Sequence, residues 1–375
     1  MEPVRQPGDP ALAYLQSRRG LIMTAFRALA DEGGAEASGW PGSLDLGGAE
    51  LMERLVEYAG RGKMLRGALV HLGAELCQDR DAAAVGGASA AGAASGVAVA
   101  MELFQAGLLI HDDIMDRDEL RRGKASIHAS YRDEVSANAA FDAQHLGEAL
   151  GICAGDICFF KGFGALARAV QGLPLGPAIL GLASGELTVV ALAQMSDCRF
   201  GGLPEEPGEE AILAVYRGKT ARYSFSLPIA CGAMLAGDEA TAKELFSVGE
   251  LAGLVFQLRD DEIGLFGDPA VTGKGAYSDL RENKKTLMRA RLLARADAAA
   301  RLRLSTIYGS PEAGEAEAAW VRGLVEALGI AGELRAERLE LARQARARVE
   351  GIPGLRPVPK ETLLDLIDWL SARSS

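Results

Sequence analysis

Residues 102–123 read ELFQAGLLIHDDIMDRDELRRG, an apolar run with helical periodicity that ends in acid and then in two adjacent arginines. Asp112, Asp113 and Asp116 stand at i, i+1 and i+4, so one helical turn sets Asp112 below Asp116 with Asp113 beside them. Three carboxylates this close repel one another unless a cation is brought to them. Magnesium takes oxygen from one or two carboxylates and completes its shell with water and phosphate. The pattern therefore points to a magnesium-bound phosphate ester, against the plainer alternative of a solvated acidic helix end.

A second acidic pair favours the first reading. Residues 256–269, FQLRDDEIGLFGDP, deliver Asp260 and Asp261 on another apolar helical run, with Gly264, Gly267 and Pro269 as stop signals. Two such helix ends facing one another across a cavity would hold a diphosphate through several metal ions.

At this point the chain resembles the trans-isoprenyl diphosphate synthases, the polyprenyl synthetase family that includes farnesyl and geranylgeranyl diphosphate synthases. Five motifs carry the resemblance, in the family's order, between residues 62 and 287: GKMLRG, LIHDDIMDRDELRRG, GKT at residues 218–220, FQLRDD, and GDPAVTGKGAYSDLRENKKT. The resemblance implies an all-α isoprenoid synthase fold: one domain over residues 1–375, a single large helical bundle around a central cavity, with residues 1–10 flexible. It also implies a homodimer, and several Mg2+ ions held by Asp112, Asp113, Asp116, Asp260 and Asp261. Gly264 occupies the place of the third aspartate of the second motif, which puts that carboxylate in doubt and leaves Asp260 and Asp261.

Lys63 and Arg66, three residues apart at the head of an apolar helix, suit an anion clamp beside helix-start amides, or else a solvated surface pair. By resemblance they bind isopentenyl diphosphate, together with Gln105 and Arg122. Arg121, Lys219, Lys274 and Lys284 go by resemblance to the allylic diphosphate, Thr220 to the neighbourhood of the developing cation, and Gln257 to the substrates. On residues alone Gln105 is equally a core amide. Arginine's planar, always charged fork suits phosphate oxygens. The GKT lacks the upstream spacing of a P-loop. Gly218 within YRGKTARY is expected to kink a helix and expose carbonyls. Asp156 is expected to be a buried structural acid in a buried helix over residues 147–170, and residues 272–286 a lid.

The implied chemistry is ionisation of the allylic diphosphate, its leaving group neutralised by metal and by Lys219, Lys274 and Arg121. The double bond of isopentenyl diphosphate then attacks, and the departed diphosphate removes the proton. Positions four, five, eight and eleven before Asp112 are Leu108, Gly107, Phe104 and Met101, along one helix face. Gly107 is expected to leave the upper level of the cavity open, and Phe104, one turn or about 5.4 Å deeper, to form the floor. A twenty-carbon geranylgeranyl product is thus expected, with fifteen carbons or twenty-five and more as alternatives. A terpene cyclase of the same fold and a non-catalytic partner subunit are further rivals. Retention of Lys63, Arg66, Arg121 and Arg122 disfavours a cyclase, and retention of both acidic pairs disfavours a silent subunit.

Composition sets the remaining bounds. Of the 375 residues, 49% are apolar and 24% charged, enough for a large buried core. A net charge of −11 argues against a nucleic-acid partner or a polybasic membrane anchor. Five scattered cysteines and four histidines suggest neither disulfides nor zinc, and reduced, mostly buried thiols are expected. The N-terminus lacks signal-peptide features, so a cytoplasmic protein is expected. Residues 82–101 are apolar enough to raise a transmembrane question. Their Ala, Gly and Ser content suits helix packing better, so no transmembrane segment is expected.

Overall fold

The computed structural model describes residues 9–37, 48–77, 83–136, 142–267 and 277–373. Their architecture is all-α. In order, α1 spans Asp9–Ala37, α2 Gly48–Gly60, α3 Leu65–Cys77, α4 Ala83–Met115, α5 Ile127–Ser136, α6 Ala143–Ala169 and α7 Gly176–Gly202. Then follow α8 Glu209–Val215, a π-helical segment Tyr216–Ser226, α9 Leu227–Leu235 and α10 Glu239–Phe266. The chain closes with α11 Ser278–Arg281, α12 Leu287–Arg295, α13 Ala298–Ile307, α14 Glu315–Ala327, α15 Ile330–Gly351 and α16 Pro357–Ala372. Local chemistry sets several starts: the Asp142, Thr286 and Asp297 side chains accept backbone N–H groups at the heads of α6, α12 and α13. Pro357 opens α16, where its missing N–H is harmless.

The chain folds as two compact units. The first holds Leu12–Gly181 and Pro228–Ala242. Its spine is α4 packed along α6, and small residues let the two approach. A Cβ on Gly107 would stand 2.9 Å from the Gly155 carbonyl oxygen and 3.1 Å from the Phe159 ring, and one on Gly162 would stand 2.6 Å from the Phe104 ring. Met52, Leu55 and Tyr58 of α2 close a core with Ala106, Ile110, Ala154 and Cys158. Immediately after α4, Leu120–Arg121 and Lys124–Ala125 pair as a two-residue-loop hairpin, an element the helical reading did not anticipate. Its loop residues Arg122 (φ 54°) and Gly123 (φ 74°) are both left-handed, as such a turn requires. Glycine adopts this freely, whereas Arg122 is held there at about 1–2 kcal/mol.

The second unit holds Leu182–Leu227 and the chain from Lys243 onward. Leu258 and Leu265 of α10 pack with Leu287, Leu292, Leu304, Val321, Val325 and Leu334 from the helices that follow. Helices α12 and α13 are divided at Ala296, whose extended backbone ends α12, and Asp297, which caps α13. Gly218 breaks nothing. The helix runs on as a wide π turn, and a Cβ at Gly218 would meet Ala193 at 2.9 Å, so this glycine serves close packing on α7.

Several other expectations change. Helix α6 is buried on one face only, with Ile152 and Phe160 exposed, and Asp156 is half-exposed beside His111 at 3.6 Å. Of the free cysteines only Cys158 and Cys231 are buried, while Cys153 and Cys198 are exposed. Among the described residues, three stretches are long and apolar enough to cross a membrane: Gly92–Met115, Ala143–Ala169 and Gly176–Gly202. Most of the first is buried, and it carries Glu102, Asp112 and Asp113. Residues 1–8 and 268–276, and with them Lys274 and most of the expected lid, lie outside the described residues.

Candidate active site

In the first unit, α4 carries the acids out of the core and the hairpin returns two arginines to them. Asp112 is half-buried and Asp116 exposed, one turn apart, with the Asp116 N–H bonded to the Asp112 carbonyl oxygen at 2.8 Å. Asp113 points the other way. Its carboxylate is fully buried, accepts the Tyr58 hydroxyl at 2.8 Å, and accepts Arg121 Nε at 2.6 Å with a second bond from the same guanidinium. Burial raises the Asp113 carboxyl above its usual range, opposed by Arg121. The expected trio is therefore split: Asp112 and Asp116 remain on the open side while Asp113 fixes Arg121. Among the described residues no three His, Cys, Asp or Glu side chains converge as a ready-made metal nest. Arg121 also reaches Asp118 at 3.3 Å and Asp112 at 3.9 Å.

Beside this pair lies a concentration of positive charge. The Arg122 guanidinium fills the space over Gly62, where a Cβ would meet it at 2.5 Å. Burial lowers its affinity for its proton, and Arg121 and Arg66 lower it further, with Tyr58 and Glu102 opposing. Glu102 is buried and receives the Gly67 N–H at 2.8 Å. Lys63 is exposed just before α3, and Arg66 is half-buried in its first turn. Gln105 and Leu108 are half-buried on α4 at seven and four residues before Asp112, the face that Asp112 shares. Gly107 and Phe104 instead face α6, where Phe104 is fully buried against Gly162 and the Phe163 ring, whose centroid lies 4.9 Å away. The level expected to be open at Gly107 is thus occupied by α6.

In the second unit the π segment and α10 meet. Thr220 donates to Gln257 at 2.7 Å, and Gln257 donates to Asp261 at 2.9 Å. Tyr216 donates a further short bond to Asp261, which is buried. Burial pushes the Asp261 carboxyl up to about 7, opposed by Lys284 and the Tyr216 bond. Asp260 is half-exposed and receives Arg373 at 2.8 Å. Arg373 in turn covers the Phe256 ring at 4.0 Å, and its backbone oxygen accepts Arg259. Lys219 pairs with Asp197 at 2.7 Å, and Lys284 with Asp279 at 3.6 Å.

Tyr58, Tyr216, Asp197, Asp279 and Arg373 all escaped the sequence reading. All but Asp279 lie far along the chain from their partners, and only the order Gly-Lys-Thr after Tyr216 hinted at one of them.

A family model described as polyprenyl synthetase matches residues 49–325. The chain is 32% identical over 289 residues to a short chain isoprenyl diphosphate synthase of Methanothermobacter thermautotrophicus, covering 77% of this chain and 80% of that protein. It is also 32% identical over 321 residues to a (2E,6E)-farnesyl diphosphate synthase of Mycobacterium bovis, covering 84% and 80%. The crystal structure of a Corynebacterium glutamicum geranylgeranyl pyrophosphate synthase, complexed with isoprenyl diphosphate and magnesium, superposes with a TM-score of 0.86 at 25% identity over 95% of this chain and 99% of that one. With five motifs in order, the all-α fold of that neighbour and this breadth of match, the chain belongs to the polyprenyl synthetase family and is a trans-prenyltransferase.

Proposed function

We propose that this enzyme joins isopentenyl diphosphate to an allylic diphosphate with the help of magnesium, giving the twenty-carbon geranylgeranyl diphosphate. The single observation that carries an elongating synthase is Arg122, held over Gly62 and close enough to Arg121 and Arg66 for their charges to weaken its hold on its proton. Like charges held this close are a standing cost that an arriving diphosphate removes. A cyclase, with one diphosphate to hold, has no use for a second basic pair such as Arg66 and Arg122.

The donor set fits magnesium. Asp112 and Asp116 present hard oxygens one turn apart on the open side of α4, and Asp260 is half-exposed at the end of α10. Two carboxylates or one, rather than a protein cage, is what this ion accepts. Once bound, it would supply charge withdrawal from the allylic leaving group. In the first unit Arg121, braced by Asp113, and in the second Lys219 and Lys284, partners of Asp197 and Asp279, are the cations that would neutralise an allylic leaving group. Lys63, Arg66, Gln105 and Arg122 hold the isopentenyl diphosphate. Thr220 is oriented by Gln257 towards the developing cation.

Product length rests on Phe104, buried beneath Gly107 on the α6 side and read as the floor. A fifteen-carbon product is the second reading, favoured by Phe159, whose ring already fills the level that Gly107 leaves. The apolar side chains left exposed on α6 (Leu146, Ile152, Phe160) and on α7 (Leu192, Met195) support a homodimer whose subunit contact covers them. Incubation with isopentenyl diphosphate, geranyl or farnesyl diphosphate and Mg2+, followed by chain-length analysis, tests the assignment. A twenty-carbon diphosphate is expected and a fifteen-carbon one selects the second reading. A cyclic hydrocarbon, or no use of isopentenyl diphosphate, overturns both.

A further inference from the structure

The turn between α11 and α12 carries Lys284, and it is gripped from two sides. At its near end Asn283 is left-handed (φ 56°), a conformation that asparagine tolerates better than most residues. Its side-chain amide donates to the Gly201 carbonyl oxygen at 2.9 Å, at the end of α7. At its far end the Leu287 N–H donates at 3.2 Å to the Tyr216 hydroxyl, which itself donates to Asp261. Between these anchors the guanidinium of Arg289, buried in the first turn of α12, reaches back into the turn. Its Nη1 donates to Asn283 Oδ1 at 2.7 Å and to the Asn283 carbonyl oxygen at 3.1 Å, and it stands 3.5 Å from the Lys284 carbonyl oxygen. Arg289 thus meets the peptide groups on both sides of the Lys284 Cα.

The arginine is itself held from outside the turn. Its Nη2 donates at 2.6 Å to Glu206, from the loop between α7 and α8, and its guanidinium covers the Tyr308 ring at 4.0 Å. Buried Lys285 donates to the same Glu206 oxygen at 2.7 Å, so two buried cations share one carboxylate. A lysine at 289 could keep the ion pair, but it lacks the planar fork that reaches Glu206 and the oxygens of the turn at once.

We propose that Arg289, locked by Glu206, is a positioning residue for Lys284: it fixes the turn so that the Lys284 ammonium meets the allylic diphosphate, without itself touching substrate. The inference rests on the synthase reading, and the test separates the two.

The test is a double-mutant cycle on the whole enzyme, read as kcat/KM for the allylic diphosphate and KM for isopentenyl diphosphate, with melting temperature followed in parallel. Arg289→Lys is expected to lose roughly 10- to 100-fold in allylic kcat/KM, the scale of a misplacement of about 1 Å, and to leave the KM for isopentenyl diphosphate unmoved. Glu206→Gln, on the exposed loop, is expected to act in the same direction by less, and carries the cycle if Arg289→Lys does not fold. Against a Lys284→Met background there is no ammonium to place, so either substitution is expected to cost no more than about twofold further. A merely structural role predicts otherwise: the full loss is repeated in the Lys284→Met background, or the two substrates suffer alike, and either result overturns the proposal. Unaltered allylic kcat/KM in both single variants overturns it as well. A wild type that makes no use of isopentenyl diphosphate removes the synthase reading and this inference with it, whereas an active wild type with additive losses removes this inference alone.

Discussion

Replacing Asp113 by asparagine separates the two roles that the first acidic motif combines. Asparagine keeps the shape and can still accept the Tyr58 hydroxyl, but it removes the charge that faces Arg121 at 2.6 Å in a fully buried position. Taking one partner from a buried ion pair typically costs about 3–5 kcal/mol. Asp118 at 3.3 Å and Asp112 at 3.9 Å remain near the guanidinium, so the lower end, about 3 kcal/mol, applies here. Unfolding entropy of about 2.1 cal/mol/K per residue gives ~0.8 kcal/mol/K for a chain of 375 residues, hence a fall in melting temperature of about 4 °C. Asp112→Asn and Asp116→Asn, at half-buried and exposed positions, should shift stability by no more than ~0.5 kcal/mol while weakening magnesium-dependent pyrophosphate binding. Differential scanning calorimetry and a pyrophosphate titration on the three variants decide it. Equal melting temperatures for all three, or a stability loss confined to Asp112→Asn, would refute the inward orientation of Asp113.

Other consequences follow from the same geometry. Phe104→Ala should lengthen the product ladder while costing about 3–5 kcal/mol of stability, and Phe159→Ala should lengthen it with a smaller loss; an unchanged ladder in both removes α6 as the floor. Arg373→Ala uncovers Asp260, and should tighten magnesium binding roughly two- to fivefold; unchanged or weaker binding would show that the contact at 2.8 Å does not compete with the ion. His71 is buried and is pushed down to about 4 by burial and by Arg18. Its lowered value means that the unfolded chain takes up the proton first, so stability is complete above pH ~6.5 and falls as pH drops towards 4, by on the order of 3 kcal/mol. His71→Gln should flatten that part of the acid denaturation profile, and an unaltered slope would contradict the assignment.

How far the sequence could be read depended on whether the answer lay within one helix or across two. Spacing along α4 was enough to place Asp112 over Asp116, because i, i+4 neighbours meet whatever surrounds them. Which way each side chain turned was not legible. Asp113 faces inward because Tyr58 and Arg121 wait there, and Tyr58 comes from α2, 55 positions earlier. Glycine was the most misleading signal. At Gly107 and Gly218 a missing side chain suggested open cavity and a kink, yet in both places another helix had come close enough to use the gap. A gap in a helix face carries meaning only once the element opposite is known.

The central claim is that the α4 acids and the α10 acids, far apart in the chain, serve one reaction. The direct measurement is incorporation of labelled isopentenyl diphosphate into an allylic starter by wild type, Asp112→Asn and Asp260→Asn at saturating Mg2+. The account predicts turnover by the wild type and a loss of at least roughly 100-fold in each variant, the size of effect expected when stabilisation of the leaving charge is removed. Wild-type turnover in either variant would contradict it.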